Sequence, residues 1–308
     1  MKTHLARTHP DSKDHDIEFD EPSHRYAVRG ESRNYISATT MLKSFYEPFD
    51  PDRVIRMYGG GWRADPNHRY HGMTADEIKA QWETKRNCEA TLGTLMHERI
   101  EVFYNRTDHA LDSRLTPDIN EGDDRELSPE LQQFNTFHSD NRIVPYRTEL
   151  RIYDPETRVA GSVDLLAFGR DDDELVIYDW KRSARDLSSA ASNYGRACAP
   201  PLTHLADTPH TRYALQQNLY AYILRKYYRK RISRMYLVRL SPTITNYELI
   251  PLPNLRSEIE LVLTCRRNYL QRLRRVKGVC VTGVLLMSLL VAIRKNGVGL
   301  VLPSPDRR

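Results

Sequence analysis

Two apolar runs separated by a short polar turn constrain the fold of this 308-residue chain more than any other feature. Residues 158–168 and 174–181 have the composition of β-strands, and Gly169-Arg170-Asp171-Asp172-Asp173 between them is rich in turn-forming residues. A connection this short joins antiparallel neighbours. The sequence therefore predicts a central β-hairpin.

Two aspartates face each other in this predicted hairpin. If residues 170–173 form the loop, Gly169 pairs with Glu174, and the same register puts Asp164 directly opposite Asp179. Their Cβ atoms would lie about 4.5–5.5 Å apart, where like charges destabilise the pair. Either a shared proton or a divalent cation between the oxygen ligands would relieve the repulsion.

A cation follows on the same strand. Lys181 shares a strand face with Asp179, because side chains two residues apart point the same way. A lysine beside paired carboxylates favours chemistry on an anion, although D-x-K motifs alone are weak signals because charged residues near strand ends are usually solvated.

Three further groups of polar residues accompany the hairpin. His97 and Glu101 are four residues apart on a predicted helix, so both project from one face. Glu149 lies in the strand-like run that precedes the hairpin, and Gln216 and Tyr220 share one face of a later predicted helix. Taken singly, these groups read as a surface histidine, a salt-bridged edge residue and an amphipathic core helix.

In this order, the motifs resemble the RecB-type branch of the PD-(D/E)XK nuclease superfamily. The family pattern is G-x-x-x-H on a helix, an acidic residue, G-x-x-D, a D-x-K strand and Q-x-x-x-Y on a helix, and it is matched over about residues 37–251. The sequence is similar to nucleases of phages and large DNA viruses and to mitochondrial genome-maintenance exonucleases. The resemblance implies an α/β fold with a PD-(D/E)XK restriction-endonuclease-like core, a small mixed β-sheet flanked by helices.

The resemblance also implies roles for particular residues. The implied catalytic residues are Lys181, Asp164 and Asp179. The implied metal ligands, for Mg²⁺ or Mn²⁺, are His97, Asp164, Asp179 and the backbone carbonyl of Trp180. Glu101 and Glu149 would be groups behind the ligands or ligands to an additional metal. The implied substrate-binding residues are Gln216, Tyr220 and Ser183.

The implied activity is phosphodiester hydrolysis by a metal-dependent deoxyribonuclease, an exonuclease acting on DNA ends or single strands in replication, repair or recombination. An endonuclease of the same fold is an alternative, and so is a catalytically inactive nucleic-acid-binding module, whose usual mark is a missing Asp or Lys. The chain lacks a G-x-x-x-x-G-K-[ST] loop, so no nucleotide cofactor is predicted and a separate helicase or replication protein would supply any unwinding.

Basic residues are concentrated late in the chain. The net charge is +5 overall, but residues 212–275 contain 14 basic and 3 acidic side chains, a net charge of +11. Such an excess predicts contacts with DNA phosphates.

The cysteines and the N-terminus indicate the compartment. Cys88, Cys198, Cys265 and Cys280 are widely spaced, which predicts neither a disulfide framework nor an iron–sulfur cluster and favours a reducing, intracellular compartment. The first twenty residues lack an apolar core and contain five acidic residues, which excludes a secretory signal peptide.

We predict three segments along the chain: an N-terminal hairpin extension at 1–35, a nuclease domain at 36–275 and an apolar C-terminal tail of unknown role at 276–308. Residues 105–127 would form a mobile acidic insertion. The uncharged run at 278–293 is shorter than the ~20 apolar residues of a membrane span, so a buried helix or tail is favoured over a membrane anchor.

Two local predictions concern the first half of the chain. Residues 58–73 contain Gly, Asn and Pro and are predicted to form a loop. Thr74-Ala75-Asp76-Glu77 has the form of a capping box and predicts a helix that is broken near Gly93 and resumes through Tyr104.

Overall fold

The computed structural model describes most of the chain, namely residues 3–33, 35–106, 127–171, 173–190, 196–273 and 275. The chain divides into two compact units, Met1–Glu260 and Leu261–Arg308. The predicted tail at 276–308 and nearly all of the predicted insertion at 105–127 lie outside the described residues. Within those described ranges, no helix combines the length and the apolar character needed to cross a membrane.

The N-terminal elements are short. Helix α1 (His4–Thr8) precedes an antiparallel hairpin of β1 (Ile17–Asp20) and β2 (Arg25–Val28), as the sequence predicts. Strand β3 (Ile36–Ser37) leads directly into α2 (Ala38–Leu42).

Three consecutive antiparallel strands form the centre of the main sheet. β4 (Pro145–Asp154) pairs with β5 (Val159–Phe168), and β5 pairs with β6 (Glu174–Arg182). The predicted central hairpin is therefore confirmed as β5 and β6, and its register is the one that a loop over residues 170–173 requires.

Further strands make this sheet a mixed one. β7 (Arg231–Leu240) runs parallel to β6, and β8 (Glu248–Pro251) runs antiparallel to β7. The strand order is β3-β5-β6-β7-β8, with β4 on the other edge of β5. β3 pairs with the start of β5 and β6 with its end. Between them, residues 161–164 of β5 are unpaired on that edge in the described part of the chain.

Helices cover both faces of the sheet, as predicted. α4 (Ala75–Tyr104) and α5 (Ser128–Asn141) pack against the face that carries Tyr178 and Trp180. Their fully buried side chains in this core include Met96, Ile100, Phe134 and Phe137. Each such side chain contributes about 1.5–3 kcal/mol by burial. α6 (Pro209–Tyr227) lies on the opposite face, where its Gln217 reaches Asp179.

Helix α3 (Pro51–Ala64) contains Gly59-Gly60-Gly61, so the loop predicted from residue 58 is wrong at its start. The Asp50 carboxylate accepts a hydrogen bond in the first turn, and Pro51 occupies the first helical position. Ile55 is buried with Ile78 in a small apolar cluster. This packing offsets the roughly 1 kcal/mol that each helical glycine costs.

The predicted break in α4 is also wrong. The helix runs without interruption through Gly93, and the capping box of Thr74 and Glu77 is present at its start. Packing of the turns after Gly93, through Met96 and Ile100, stabilises the helix on the far side of the glycine. Residues near position 97 are therefore held on a rigid element.

Candidate active site

β5 and β6 separate at the residues predicted to pair across the hairpin. The paired positions end at Leu165 and Tyr178. Asp164 and Asp179 are the next residues on the two strands, so they lie one step beyond the end of the paired positions. Their charges still interact, since burial raises the pKa of Asp179 and the Asp164 carboxylate raises it further. Asp164 Oδ2 accepts a hydrogen bond of 3.0 Å from the backbone N–H of Trp180.

Glu149 takes the position opposite Asp164 on the other neighbouring strand, because β4 and β5 are paired on both sides of these two residues. Its φ of 44° lies in the left-handed region, which costs a non-glycine residue about 1–2 kcal/mol. Ser162 Oγ donates a 2.9 Å hydrogen bond to Glu149 Oε2. A strained backbone and a hydrogen bond to Ser162 thus hold the Glu149 carboxylate in place.

His97 completes a group of three ligand-type side chains. Its Nδ1 lies 3.7 Å from Glu149 Oε1 and 3.5 Å from Asp164 Oδ2. One ligand atom from each of the three side chains lies within 4.8 Å of the others. His97 Nε2 lies 3.1 Å from the Trp180 carbonyl oxygen, which leaves Nδ1 facing the two carboxylates.

The electrostatics of this group fit a divalent cation. Burial raises the pKa of Asp164, and the charge of Glu149 adds to that rise. Burial favours neutral His97, but the carboxylates of Asp164 and Glu149 outweigh it and raise the pKa of the imidazole. Two partly buried carboxylates and one imidazole form a donor set suited to Mg²⁺ or Mn²⁺.

Lys181 lies beside this group, linked to it by the Trp180 peptide. Lys181 Nζ is 2.5 Å from Asp179 Oδ2 and 3.1 Å from the Trp180 carbonyl oxygen that His97 also approaches. Burial disfavours the charged amine, but Asp179 and Asp164 raise the pKa of Lys181. The side chain is therefore a cation, and 19% of it remains exposed.

Asp179 holds Lys181 rather than joining the group of His97, Glu149 and Asp164. Its side chain is only 3% exposed, and Gln217 Nε2 donates a 2.6 Å hydrogen bond to its Oδ1. Burial raises the pKa of Asp179 even though Lys181 opposes that rise.

The other predicted site residues are placed around these two groups. Glu101 is one helical turn after His97, and burial together with the charge of Glu149 raises its pKa. Gln216 Nε2 donates to the Tyr220 hydroxyl at 2.9 Å. Ser183 Oγ donates to a backbone carbonyl in the turn after β6, at 3.1 Å.

The sequence analysis missed two residues that contact the ion pair of Lys181 and Asp179. Gln217 is buried and bonds to Asp179, and the Tyr213 ring centroid lies 5.1 Å from Lys181 Nζ. One signal was available for Gln217, since its neighbours on the same helical face, Ala214 and Ala221, are small. A polar residue between two alanines on a packed helix indicates a buried hydrogen bond.

Gly161 is required by the packing of Tyr220. A Cβ atom at position 161 would lie 2.4 Å from Tyr220 Cε1 and 2.8 Å from the Tyr220 hydroxyl oxygen. The glycine of the G-x-x-D motif therefore makes room for the tyrosine of the Q-x-x-x-Y motif, and the two motifs form one packing unit.

Gly161→Ala is expected to destabilise the protein by about 1–3 kcal/mol, because the Tyr220 ring must move. The measurement is the free energy of unfolding in urea. Gly93→Ala is the control, since nothing lies within 4 Å of its added Cβ, and helical alanine should raise stability by about 0.5–1 kcal/mol. Equal effects of the two substitutions would contradict the packing argument.

A comparison with protein families identifies the superfamily of this chain. A model of the PD-(D/E)XK nuclease superfamily matches residues 68–276 of the 308-residue chain. The chain therefore belongs to the PD-(D/E)XK nuclease superfamily, whose members are phosphodiester hydrolases that typically use divalent metals.

The similarity of this chain to solved structures is more distant. The solved structure titled "Crystal structure of SSO0001" is similar at 12% sequence identity and a TM-score of 0.30, with 78% of this chain and 78% of that chain covered. A search of curated proteins finds no match.

Proposed function

We propose that this chain is a Mg²⁺- or Mn²⁺-dependent deoxyribonuclease, an exonuclease that hydrolyses phosphodiester bonds at DNA ends or in single strands. The observation that supports it most strongly is the arrangement around the Trp180 peptide. Two residues of the candidate metal group, His97 and Asp164, contact this peptide, and a charged, partly exposed lysine contacts the same carbonyl oxygen as His97.

His97, Glu149 and Asp164 would hold the divalent cation. When bound, the cation supplies a Lewis acid that polarises a phosphoryl oxygen and lowers the pKa of a bound water. The Trp180 N–H fixes the Asp164 carboxylate. The Trp180 carbonyl accepts a hydrogen bond from His97 Nε2, which orients Nδ1 toward the cation position. We propose this orienting role for the carbonyl in place of the ligand role that the motif resemblance implies.

Lys181 would stabilise the negative charge that develops on the phosphoryl oxygens as a water oxygen attacks phosphorus and the bond to the leaving oxygen breaks. Its ion pair with Asp179 and its contact with Tyr213 hold the ammonium in one place. A preorganised charge of this kind is worth about 3–4 kcal/mol of barrier. Asp179 thus acts by positioning Lys181.

The choice of DNA rests on the resemblance to RecB-type nucleases and on the excess of basic residues between 212 and 275. Several of these cations have acidic partners, so they are not all available to a substrate. We further propose that a separate helicase or replication protein supplies unwinding, and that the activity serves repair or recombination.

The deciding experiment is digestion of end-labelled linear DNA and closed circular DNA with Mg²⁺, with Mn²⁺ and with EDTA. Metal-dependent loss of linear DNA while the circles survive supports an exonuclease. Cleavage of circles identifies an endonuclease of the same fold, since circles have no ends. Binding without cleavage under every metal condition identifies an inactive binding module. Parallel RNA substrates test the preference for DNA.

A further inference from the structure

Aromatic rings on α3 and in the loop after it form a stack that ends in an exposed tyrosine. The Tyr58 and Trp62 ring centroids are 5.7 Å apart at an interplanar angle of 16°, and those of Trp62 and His68 are 5.6 Å apart at 7°. The three rings are therefore nearly parallel. Tyr58 is 48% exposed, and Trp62 is the ring that it contacts within the described residues. Tyr58 thus presents an open aromatic surface at the end of the stack.

Further contacts hold the inner rings of the stack in place. The Trp62 ring centroid lies 5.5 Å from that of Tyr70 and 6.3 Å from that of Trp82 in α4. Trp82 Nε1 donates a 2.5 Å hydrogen bond to the Tyr70 hydroxyl, and His68 Nδ1 accepts a 3.2 Å hydrogen bond from the Tyr70 N–H. Because Tyr70 is buried, the stack is anchored at its inner end and preorganised for a ligand at its outer end.

The glycine run of α3 leaves open space beside the Tyr58 ring. Gly59 is required by packing, since an added Cβ would lie 2.9 Å from Ile55 Cγ2. In the described part of the chain, nothing lies within 4 Å of a Cβ added at Gly60 or Gly61. Glycine destabilises a helix interior relative to alanine, so packing does not explain these two positions. Gly61 is three residues after Tyr58 and therefore on the same helix face, where a side chain would cover part of the ring.

The charge of this segment favours a polyanion. Residues 51–73 contain four arginines and two aspartates, and one of these acids, Asp52, pairs with Lys79 at 3.1 Å. The Arg69 guanidinium carbon lies 4.4 Å from the Tyr70 ring centroid. The exposed Arg69 side chain has no carboxylate within 4.0 Å among the residues that the structure describes. Stacked rings within a net positive segment are the combination that binds single-stranded nucleic acid.

Helix α4 sets the distance from the stack to the candidate metal group. Trp82 contacts the stack, and His97 follows it by fifteen residues on the same uninterrupted helix, which is about 22 Å along the axis. Nucleotides that rise about 3.4 Å each cover this distance in six or seven steps, and a more extended strand needs fewer. A strand held at the metal group therefore reaches the stack when it is several nucleotides long.

We propose that the Tyr58 ring stacks against a base of a single-stranded nucleic acid, several nucleotides away from the bond that is cut. Every base has an aromatic face, so this contact holds a strand without reading its sequence. The proposal rests on the proposed function, since the strand is the substrate of the candidate active site. A protein partner is the other occupant that an exposed apolar surface suits, and the dependence of binding on bases separates the two.

The test measures binding of a labelled single-stranded DNA of about 15 nucleotides by fluorescence anisotropy. The full chain carries Lys181→Met, so that the DNA is bound but not cut. Tyr58→Leu should weaken binding about 5–20-fold, because the stacking of one base is lost. Tyr58→Phe keeps the ring and should change the dissociation constant less than about twofold. The slope of log K against log salt should stay the same, since no phosphate contact is removed.

Strands without bases identify the group that stacks. Two further oligonucleotides of the same length carry abasic sugars in the 5′ half or in the 3′ half, so that the phosphates are kept. With one of the two, the protein that retains Tyr58 should lose about the same factor in affinity, and Tyr58→Leu should cause no further loss.

A matched pair of glycine substitutions tests the geometry without removing a ring. Gly61→Gln places a side chain on the face of Tyr58 and should weaken binding at least about threefold. Gly60→Gln should change binding less than about twofold, because residues two apart do not face each other on a helix. Both substitutions replace a helical glycine and should raise the unfolding midpoint, so a loss of binding by Gly61→Gln cannot be attributed to unfolding.

The outcomes separate this contact from the proposed function. If Tyr58→Leu and Gly61→Gln bind the normal strand as tightly as the protein that retains both residues, the stacking contact is overturned. It is also overturned if Tyr58→Leu weakens binding of every abasic strand as much as binding of the normal strand. If binding depends on Tyr58 but the chain with Lys181 cuts no DNA with any metal, the contact stands and the nuclease function fails.

Discussion

Replacing Lys181 with methionine is expected to lower the rate of phosphodiester cleavage by about 10²–10³-fold, because the ammonium that we propose to stabilise the transition state is lost. Methionine keeps much of the apolar stem of the side chain. The measurement is single-turnover cleavage at saturating metal. The control, Lys79→Met, removes a lysine of α4 that pairs with Asp52 and Asp76, and it should leave the rate within about twofold of the parent. If the Lys181 variant cleaves DNA at the rate of the parent protein, Lys181 has no role in the mechanism.

The same substitution should make stability more dependent on pH. Without Lys181, Asp179 is a buried carboxylate that has lost its ion-pair partner, so its pKa in the folded state rises further above the unfolded value of 3.8. Because the folded state then binds the proton more tightly than the unfolded state, stability depends on pH. The free energy of unfolding falls as pH rises from the unfolded pKa of Asp179 to its folded pKa. We expect a small loss near pH 4 that grows to about 3 kcal/mol near pH 8.

Urea unfolding across this pH range measures the effect. The double variant Asp179→Asn with Lys181→Met should recover most of the lost stability at pH 8, since no buried charge remains, but it should not recover activity. A loss of stability that is constant from pH 4 to pH 8 would show that the ion pair with Asp179 is not its source.

Asp164→Asn is expected to lower cleavage by at least about 10³-fold and to abolish stabilisation by Mn²⁺. Asparagine retains an oxygen that can accept the Trp180 N–H bond, so the fold should be kept. The parent should gain about 2.7 kcal/mol of stability when the free metal concentration is a hundred times its dissociation constant. Unfolding with and without Mn²⁺, together with calorimetric titration, measures both effects.

The matched control for Asp164 is Glu83→Gln. It removes one carboxylate from an exposed position of α4, where the acid pairs with a neighbouring arginine. The control should keep both the cleavage rate and the response to Mn²⁺. If the Asp164 variant binds Mn²⁺ as tightly as the parent protein does, Asp164 is not a metal ligand and the metal binds elsewhere.

Much of the sheet around the site could be predicted from the sequence because it depends on short-range pattern. The apolar runs and the short turn of β5 and β6 determine the register, and the alternation along β6 puts Asp179 and Lys181 on one face. The glycines of α3 misled the prediction, since the packing of Ile55 that stabilises this helix involves residues distant in sequence.

The detailed grouping of the acids could not be predicted in this way. The paired positions of β5 and β6 end one residue before Asp164 and Asp179, which the local pattern does not show. Glu149 lies opposite Asp164 on the other edge of β5, with a left-handed backbone that no local pattern indicates for a glutamate. Gln217 was missed because the helix presents it to a buried carboxylate from another element.

The peptide unit of Trp180 connects the candidate active site to the hydrophobic core. Its N–H and C=O touch Asp164, His97 and Lys181, while its indole is anchored in the core on the far side of the sheet, next to Phe134 and Phe137. If either phenylalanine is replaced by a smaller residue, the core repacks around the indole, and this repacking would tilt the peptide. A genetic screen for inactive enzymes should therefore recover alleles deep in the hydrophobic interior, in proteins that still accumulate to normal levels.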